Sequence, residues 1–409
     1  MSSPSLGSVA RRRVFYIPGY DPIPARKYRE IYRREGAEQA LISGYELAVA
    51  GRPAGQGPFG WQVTAIMDGA EVSADIDVLV WSDIVKSSMS GSIAATYGQM
   101  VRTAWAYLGT GAFWPLLRLR KGPVIAALYP VVMLLVYALV ACGLGLCAGL
   151  LVARLAGGGW VALLGWAVGP AVAALVLRLA RRLDGRTFVF YLMHDFAHAA
   201  EDLGEIPAAL SDRLAAFGDL VAESLADDVD EVLVVGHSSG AHLAVTVLAD
   251  LIRAGRVPVD GPALGLLSLG QVVPMVSFLP RADRLRADLR YLSARPELTW
   301  VDVTAPGDGC AFALCDPVAV TGVAPDGQRW PLILSAAFTQ TLSPERWAAL
   351  RWRFHRLHFQ YLHAFDRPGD YDYFRITAGP LTLAARYAGR VPSKSRIVTA
   401  LSRYTSVRA

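Results

Sequence analysis

Hydrophobic and polar positions divide most of the chain into short apolar runs that alternate with longer amphipathic segments. The short runs are rich in Val, Ile, Leu and aromatic residues, which is typical of strands. They cover residues 14–17, 62–67, 76–81, 187–193, 231–235, 264–269 and 298–303. The helical patterns cover residues 26–43, 207–226 and 240–254. This alternation predicts an α/β fold: a mainly parallel sheet with helices on both faces.

Two uncharged runs interrupt the alternation. No charged residue occurs from 122 to 153 or from 155 to 177, and Arg154 lies between them. About 18–20 apolar residues are enough to cross the hydrocarbon core of a bilayer. The pattern predicts a transmembrane hairpin that consists of a first helix at about 124–151, a turn at the glycines 157–159 and a second helix at about 160–180. The alternative is a pair of buried core helices, but both runs lack a water-facing stripe.

Basic residues flank the predicted hairpin on its outer ends. They are Arg118, Arg120 and Lys121 before the first helix, and Arg178, Arg181, Arg182 and Arg186 after the second. Cytoplasmic flanks of membrane helices are enriched in Lys and Arg. Both outer ends are therefore predicted to face the cytoplasm. This predicts a multi-pass protein of the inner (cytoplasmic) membrane.

The chain is predicted to have three parts. The hairpin occupies residues 122–182 and separates residues 1–121 from residues 183–409, which carry the predicted catalytic residues. Residues 94–119 are aromatic and semi-apolar. Three interpretations of that segment stay open: an amphipathic helix in the membrane interface, a lid over a pocket, and a plain packing helix.

Composition agrees with a membrane segment. Of 409 residues, 53% are hydrophobic and 18% are charged, whereas about a quarter is the usual charged share. The net charge of +5 permits contact with anionic lipid head groups. No recognition motif suggests nucleic acid as a partner.

Cysteine usage and the N-terminus both fit a reducing, cytoplasmic setting. The four cysteines are Cys142, Cys147, Cys310 and Cys315, with no C-x-x-C spacing. They suggest neither a disulfide framework nor a zinc knuckle. The residues before the first strand contain no apolar segment of the signal-peptide type.

The strongest chemical motif is Gly236-His237-Ser238-Ser239-Gly240, a G-x-S-x-G pattern. It directly follows the apolar run 231–235 and opens the helical pattern 240–254. Strand, G-x-S-x-G and helix is the context expected for a nucleophile elbow. There Ser238 would project from the end of the sheet, and the Ser239 backbone N–H would point at a developing oxyanion.

In this motif and its context the sequence resembles the α/β-hydrolase superfamily, in particular its esterase and lipase-like members. The resemblance implies a Ser-His-Asp triad in the chain order Ser, acid, His. Three histidines follow the elbow helix: His355, His358 and His363. His358 is favoured as the base, with Tyr361 packed behind it, and the other two remain alternatives.

The acid is expected in the loop after the strand at 298–303. Asp308, which is flanked by glycines, is favoured over Asp316 and Asp302. The resemblance also implies a second oxyanion donor after an early strand, where Pro18-Gly19 stands at the place of a His-Gly pair in many members. The Tyr20 backbone N–H is the favoured donor, with Gly19 as the alternative.

A competing motif is His194-Asp195-Phe196-Ala197-His198, which is similar to the zinc-binding H-E-x-x-H. Asp replaces Glu, so its carboxylate is one methylene shorter, and Glu201 or Glu205 would have to serve as a third ligand. The predicted strand at 187–193 would place the two histidines on a strand-to-helix turn. The motif is interpreted as a polar loop near the carboxyl edge of the sheet.

Together these features predict a membrane-anchored serine hydrolase. Its expected substrate is an acyl ester, such as a lipid, and neither a cofactor nor a metal is expected. The alternatives are a catalytically inactive hydrolase-like scaffold and a zinc metallohydrolase that uses His194 and His198.

Overall fold

The computed structural model describes residues 7–52, 57–89, 91–156 and 160–408. The chain divides into two compact units. The first comprises Met1–Lys86, Gly111–Pro123 and Asp202–Ala409; the second comprises Ser87–Thr110 and Val124–Glu201. The segment 94–119 is thus divided between the units.

The first unit is built on one eight-stranded sheet. Its strands are β1 (Arg11–Ile17), β2 (Glu46–Gly51), β3 (Gly60–Met67), β4 (Ala70–Val78), β5 (Glu231–His237), β6 (Ala263–Leu269), β7 (Leu298–Thr304) and β8 (Leu332–Ser335). Their order across the sheet is β2-β3-β4-β1-β5-β6-β7-β8. The six strands from β4 to β8 are parallel, and β2 and β3 form an antiparallel edge.

Burial along the strands explains their sequences. Every residue of β5 is buried, because parallel strands are covered on both faces. Strand β3 instead alternates buried and exposed positions, as an antiparallel strand with one solvated face does. One buried ion pair joins the middle strands: Arg12 Nε of β1 lies 2.6 Å from Glu231 Oε2 of β5.

The chain changes direction across the sheet between β1 and β5. After β1 it builds β2, β3 and β4 on one side, and after β5 it builds β6, β7 and β8 on the other. Loops that leave adjacent parallel strands in opposite directions open a crevice at the carboxyl ends of those strands. The loops after Ile17 and His237 lie at this crevice.

Eighteen α-helices lie within the described residues. They are α1 (Arg26–Ser43), α2 (Ser82–Ser88), α3 (Ile93–Gly109), α4 (Phe113–Leu119), α5 (Lys121–Leu155), α6 (Leu164–Arg182), α7 (Asp184–Thr187), α8 (Val189–Ala200), α9 (Ala208–Ser224), α10 (Gly240–Arg253), α11 (Val273–Ser277), α12 (Asp283–Leu292), α13 (Pro317–Thr321), α14 (Phe338–Thr341), α15 (Pro344–Leu350), α16 (Phe354–His358), α17 (Tyr373–Ala378) and α18 (Leu383–Arg386). Short 3₁₀ segments occur at Trp160–Leu163, Glu201–Gly204 and Gln360–Leu362.

The second unit is helical. Helices α3, α5 and α8 share a small core of Met100, Leu134, Val189, Phe190 and Met193. Helices α5 and α6 pack through glycines: a Cβ at Gly145 would lie 2.5 Å from the Gly169 carbonyl oxygen, and one at Gly149 would lie 2.8 Å from that of Gly165. Each helix thus carries a G-x-x-x-G pair on its contact face.

Of the helices in the described residues, only α5 is long and apolar enough to cross a membrane. Its most apolar window has a mean hydropathy of 2.6, and 17% of that window is buried. The two helices predicted at 124–151 and 160–180 correspond to α5 and α6. The turn predicted at 157–159 lies outside the described residues.

The strand predicted at 187–193 is wrong, because Thr187 ends helix α7 and residues 189–193 begin helix α8. Its buried positions include Val189, Phe190, Met193 and His194, a spacing of one helical face. The β-rich composition of this run therefore reflects a buried helix face. The strands β2 and β8 are additional to those the pattern predicts.

Candidate active site

Ser238 occupies a tight turn between β5 and α10. Its φ is +56°, in the left-handed region that residues other than glycine rarely adopt. The turn is held at both ends: the Ser238 N–H donates to the Leu269 carbonyl at 2.9 Å, and the Ala241 N–H donates to the Ser238 carbonyl at 3.1 Å. The G-x-S-x-G motif thus forms the strained strand-to-helix turn expected of an elbow.

Both glycines of the motif lie so close to neighbouring backbone atoms that there is no room for a side chain. A Cβ at Gly236 would lie 2.5 Å from the Gly240 carbonyl oxygen. A Cβ at Gly240 would overlap the carbonyl oxygen of Ile17, the last residue of β1. The start of α10 therefore packs directly on the loop that follows β1.

That loop contacts Ser238. A Cβ at Gly19 would lie 2.9 Å from Ser238 Cβ and 3.4 Å from its Oγ. The Trp81 indole N–H donates to the Pro18 carbonyl at 2.9 Å and fixes the loop. The buried Tyr20 follows.

The two expected oxyanion donors flank the elbow. Ser239 is the N-cap of α10, where backbone N–H groups have no acceptor within the helix. Tyr20 lies on the loop that packs against Ser238. The pair Ser239 and Tyr20 stays a prediction for the oxyanion hole.

His358 and Asp308 are brought together from distant parts of the chain. His358 ends α16, and Asp308 lies in the loop after β7. The distance from His358 Nδ1 to Asp308 Oδ2 is 2.8 Å, and both side chains are buried. His358 thus contacts one of the acids considered for the triad.

Asp308 is held as a carboxylate. Burial would raise the pKa of this group, but the charge and hydrogen bond of His358, the Cys310 N–H and the Tyr361 hydroxyl together lower it. The Cys310 N–H donates to Oδ1 at 2.9 Å, and the Tyr361 hydroxyl donates to Oδ2 at 3.0 Å. Tyr361 also accepts a hydrogen bond from the Ala305 N–H at 3.0 Å.

His358 lies beside the elbow. A Cβ at Gly270 would be 3.2 Å from His358 Cε1, and the preceding residue, Leu269, accepts the Ser238 N–H. In addition, His237 Nε2 lies 3.0 Å from the His358 carbonyl oxygen. The structure thus places Ser238, His358 and Asp308 around the carboxyl ends of β5, β6 and β7.

The other candidates have different surroundings. His355 is exposed, and His363 Nδ1 contacts the Phe359 carbonyl oxygen at 2.7 Å. Asp302 accepts a hydrogen bond from Ser268 Oγ at 2.6 Å inside the sheet. Asp316 caps α13 by accepting the Val318 and Ala319 N–H groups.

The His194–His198 motif is not a loop, because both residues belong to α8 in the second unit. His194 Nδ1 contacts Gln99 Oε1 at 2.8 Å, and His198 Nδ1 contacts Glu201 Oε2 at 3.3 Å. Within the described ranges, one cluster brings together three side chains of the types that can ligate a metal. It consists of Asp308, Cys310 and His358, whose ligand atoms lie within 4.8 Å of one another. In that group, Asp308 and His358 are already hydrogen-bonded to each other.

Sequence reasoning missed two contributors to this site. The sequence predicts that Tyr361 packs behind His358, and the structure adds that its hydroxyl donates a hydrogen bond to Asp308 Oδ2. In the G-x-S-x-G pattern, His237 occupies a variable position and carries no predicted role. Its place immediately before Ser238 is the one feature of the sequence that points to a role in the site.

No family model matches the sequence, and neither the curated proteins nor the solved structures provide a match.

Proposed function

We propose that the chain is a serine hydrolase of the α/β-hydrolase type that cleaves ester bonds. Ser238 acts as the nucleophile, His358 as the general base and acid, and Asp308 orients His358. The observation that carries the proposal is the hydrogen bond between His358 Nδ1 and Asp308 Oδ2 beside the strained turn of Ser238. The chain order Ser, Asp, His agrees with that type of enzyme.

The hydrogen bond between His358 and Asp308 supports one proton path. Asp308 is ionised, so it accepts a hydrogen bond from the Nδ1–H of His358 and leaves Nε2 as the basic nitrogen. Nε2 then takes the proton of Ser238 Oγ as this oxygen attacks the substrate carbonyl. The same proton passes to the leaving alkoxide, and an acyl-serine remains until water hydrolyses it.

The backbone would stabilise the tetrahedral intermediate. The N–H groups of Ser239 and Tyr20 lie on the two loops that meet at Ser238. Donors held in place before the reaction stabilise developing charge without reorganising.

Helices α5 and α6 would anchor the enzyme in a membrane as a hairpin. Large apolar side chains of α5 are exposed, including Leu139 and Leu146, and so is Trp166 of α6. Glycine pairs that let helix backbones approach closely are common in membrane helix pairs. A membrane anchor favours an acyl-lipid or another membrane-partitioning ester as substrate.

Labelling with a fluorophosphonate probe tests the proposed enzyme. Full-length protein in detergent should form a covalent adduct at Ser238, and Ser238→Ala and His358→Ala should abolish it. His355→Ala is the matched control, because this exposed histidine of the same helix should be dispensable. A wild-type protein that is folded but unlabelled would instead support an inactive scaffold.

A further inference from the structure

A large cavity adjoins the candidate site within the first unit. Its volume is about 610 Å³, and it reaches Asp308. Residues 117–123 form one wall, and residues from Pro306 to Ala313 form the other. A volume of this size accommodates a ligand larger than the ester group itself.

The wall formed by residues 117–123 is basic. Arg118, Arg120 and Lys121 all line the cavity. The Arg120 Nε donates to the Ala313 carbonyl at 2.8 Å and thereby joins the two walls. Arg118 and Lys121 are exposed, and among the described residues no carboxylate forms an ion pair with either of them.

The only acidic residue in the lining is Asp308, whose carboxylate is bonded to His358. The remaining lining residues are apolar or glycine, including Leu117, Leu119 and Pro306. The cavity therefore combines an excess of positive charge with an apolar surface, which matches an anionic amphiphile.

We infer that this cavity binds a phosphate or carboxylate group carried by the ester substrate, with Arg118 and Lys121 as specificity-determining residues. The inference rests on the proposed function. Ser238 Oγ would bond to the acyl carbon, and the ester C–O bond would break. The alcohol would leave with the proton from His358, and water would release the acid. The anionic group takes no part in bond making and only positions the substrate.

Two sources share this chemistry: a lipid with an anionic head group, and a soluble anionic ester. A different possibility is that Arg118 and Lys121 contact the head groups of the bilayer surface. Their position in the wall of a cavity that Asp308 also lines favours a substrate group bound in that cavity.

The test compares two esters that share one acyl chain: an acylglycerol, which is neutral, and an acylglycerol phosphate. The enzymes are wild type, Arg118→Gln/Lys121→Gln, and the control Arg329→Gln/Lys394→Gln, which removes two exposed cations elsewhere. We expect wild type and control to prefer the phosphate ester, measured as the ratio of the two kcat/KM values. The cavity variant should lower that ratio about tenfold, an effect of the size expected for two solvent-accessible charge contacts.

Two substrate formats distinguish the sources. If the enzyme prefers the phosphate ester when both esters are short-chain and in solution, the substrate is soluble. If it shows this preference only for long-chain esters in neutral vesicles, the substrate is a lipid. Inorganic phosphate should also inhibit wild type competitively and inhibit the cavity variant less.

An equal ratio in wild type and cavity variant would overturn the inference. So would a cavity variant that loses binding to anionic vesicles while its ratio stays unchanged, because the cations would then serve the bilayer surface. In both cases, probe labelling at Ser238 would leave the proposed hydrolase intact. Loss of that labelling in wild type would instead refute the proposed function itself.

Discussion

The imidazole of His237 donates a hydrogen bond from Nε2 to the backbone carbonyl of His358, with an N···O distance of 3.0 Å. The two rings are also in contact, with 4.9 Å between centroids. Burial, together with the charge of His358, lowers the pKa of His237 to about 3. His237 is therefore neutral at ordinary pH, and it ties the helix end that carries His358 to the turn that carries Ser238.

His237→Phe should reduce kcat/KM about tenfold, because it keeps a ring but removes the donor that holds the His358 backbone. His237→Gln retains an N–H donor and should lose less. Since His237 is uncharged above its low pKa, the loss should be constant from pH 6 to 9. A loss that varied with pH over this range would show that His237 titrates and does more than position His358.

Tyr361→Phe should weaken both stability and activity. The hydroxyl stabilises the Asp308 carboxylate and satisfies the buried Ala305 N–H. Its removal should lower the free energy of unfolding by about 1–3 kcal/mol, measured by urea denaturation, and should raise the pKa of Asp308. The control is Tyr32→Phe, which removes a buried hydroxyl bonded to Thr377 and should lower stability without lowering kcat/KM.

Gly19→Ala should lower activity more than stability. The new methyl group would lie 2.9 Å from Ser238 Cβ, so Ser238 must shift, and small misplacements of a reacting group cost on the order of 100-fold in rate. Gly218→Ala in α9 meets no atom within 4 Å and is the control. Unchanged turnover in Gly19→Ala would contradict the placement of this loop against Ser238.

Asp302→Asn should remove a pH dependence of stability. Burial raises the pKa of Asp302 to about 8, so the folded protein holds a proton there that the unfolded chain releases near pH 4. Asp302 therefore contributes stability that is fully present below about pH 4 and is lost as the pH rises to about 8, by on the order of 1 kcal/mol per pH unit. Urea denaturation at pH 5 and pH 8 should show a smaller decline in Asp302→Asn than in wild type.

Gly149→Leu should destabilise the second unit, because its Cβ would lie 2.8 Å from the Gly165 carbonyl oxygen. Gly143→Leu on the same helix meets no atom within 4 Å and serves as the control. Thermal unfolding in detergent should show a lower Tm for Gly149→Leu than for Gly143→Leu. Equal Tm values would mean that α5 and α6 do not pack through these glycines.

The elbow could be predicted from sequence because its requirements are local. Gly236 and Gly240 stand at fixed offsets from Ser238, and an apolar strand and an amphipathic helix flank them. The sequence also predicts the pairing of His358 with Asp308, because the chain order that the resemblance implies restricts the choice to a few residues. Which histidine and which aspartate form the pair depends on where α16 and the loop after β7 come together in the fold.

The remaining features depend on contacts that no local pattern encodes. The run 187–193 has the composition of a strand, and only its packing partners in the second unit make it a helix. Likewise, the Tyr361 hydroxyl reaches Asp308 across more than fifty residues of chain. The role of His237 arises from the same kind of distant contact.

The sheet order has a consequence for the newly synthesised chain. Strand β1 pairs with β4 on one edge and with β5 on the other, and residues 79–230 separate β4 from β5. The edge of β1 that β5 will cover thus remains open while that whole segment leaves the ribosome. Unpaired edges invite aggregation, and charged side chains reduce that hazard. The arginines that open β1 would protect the nascent edge, and Arg12 gains its ion-pair partner only when Glu231 is synthesised.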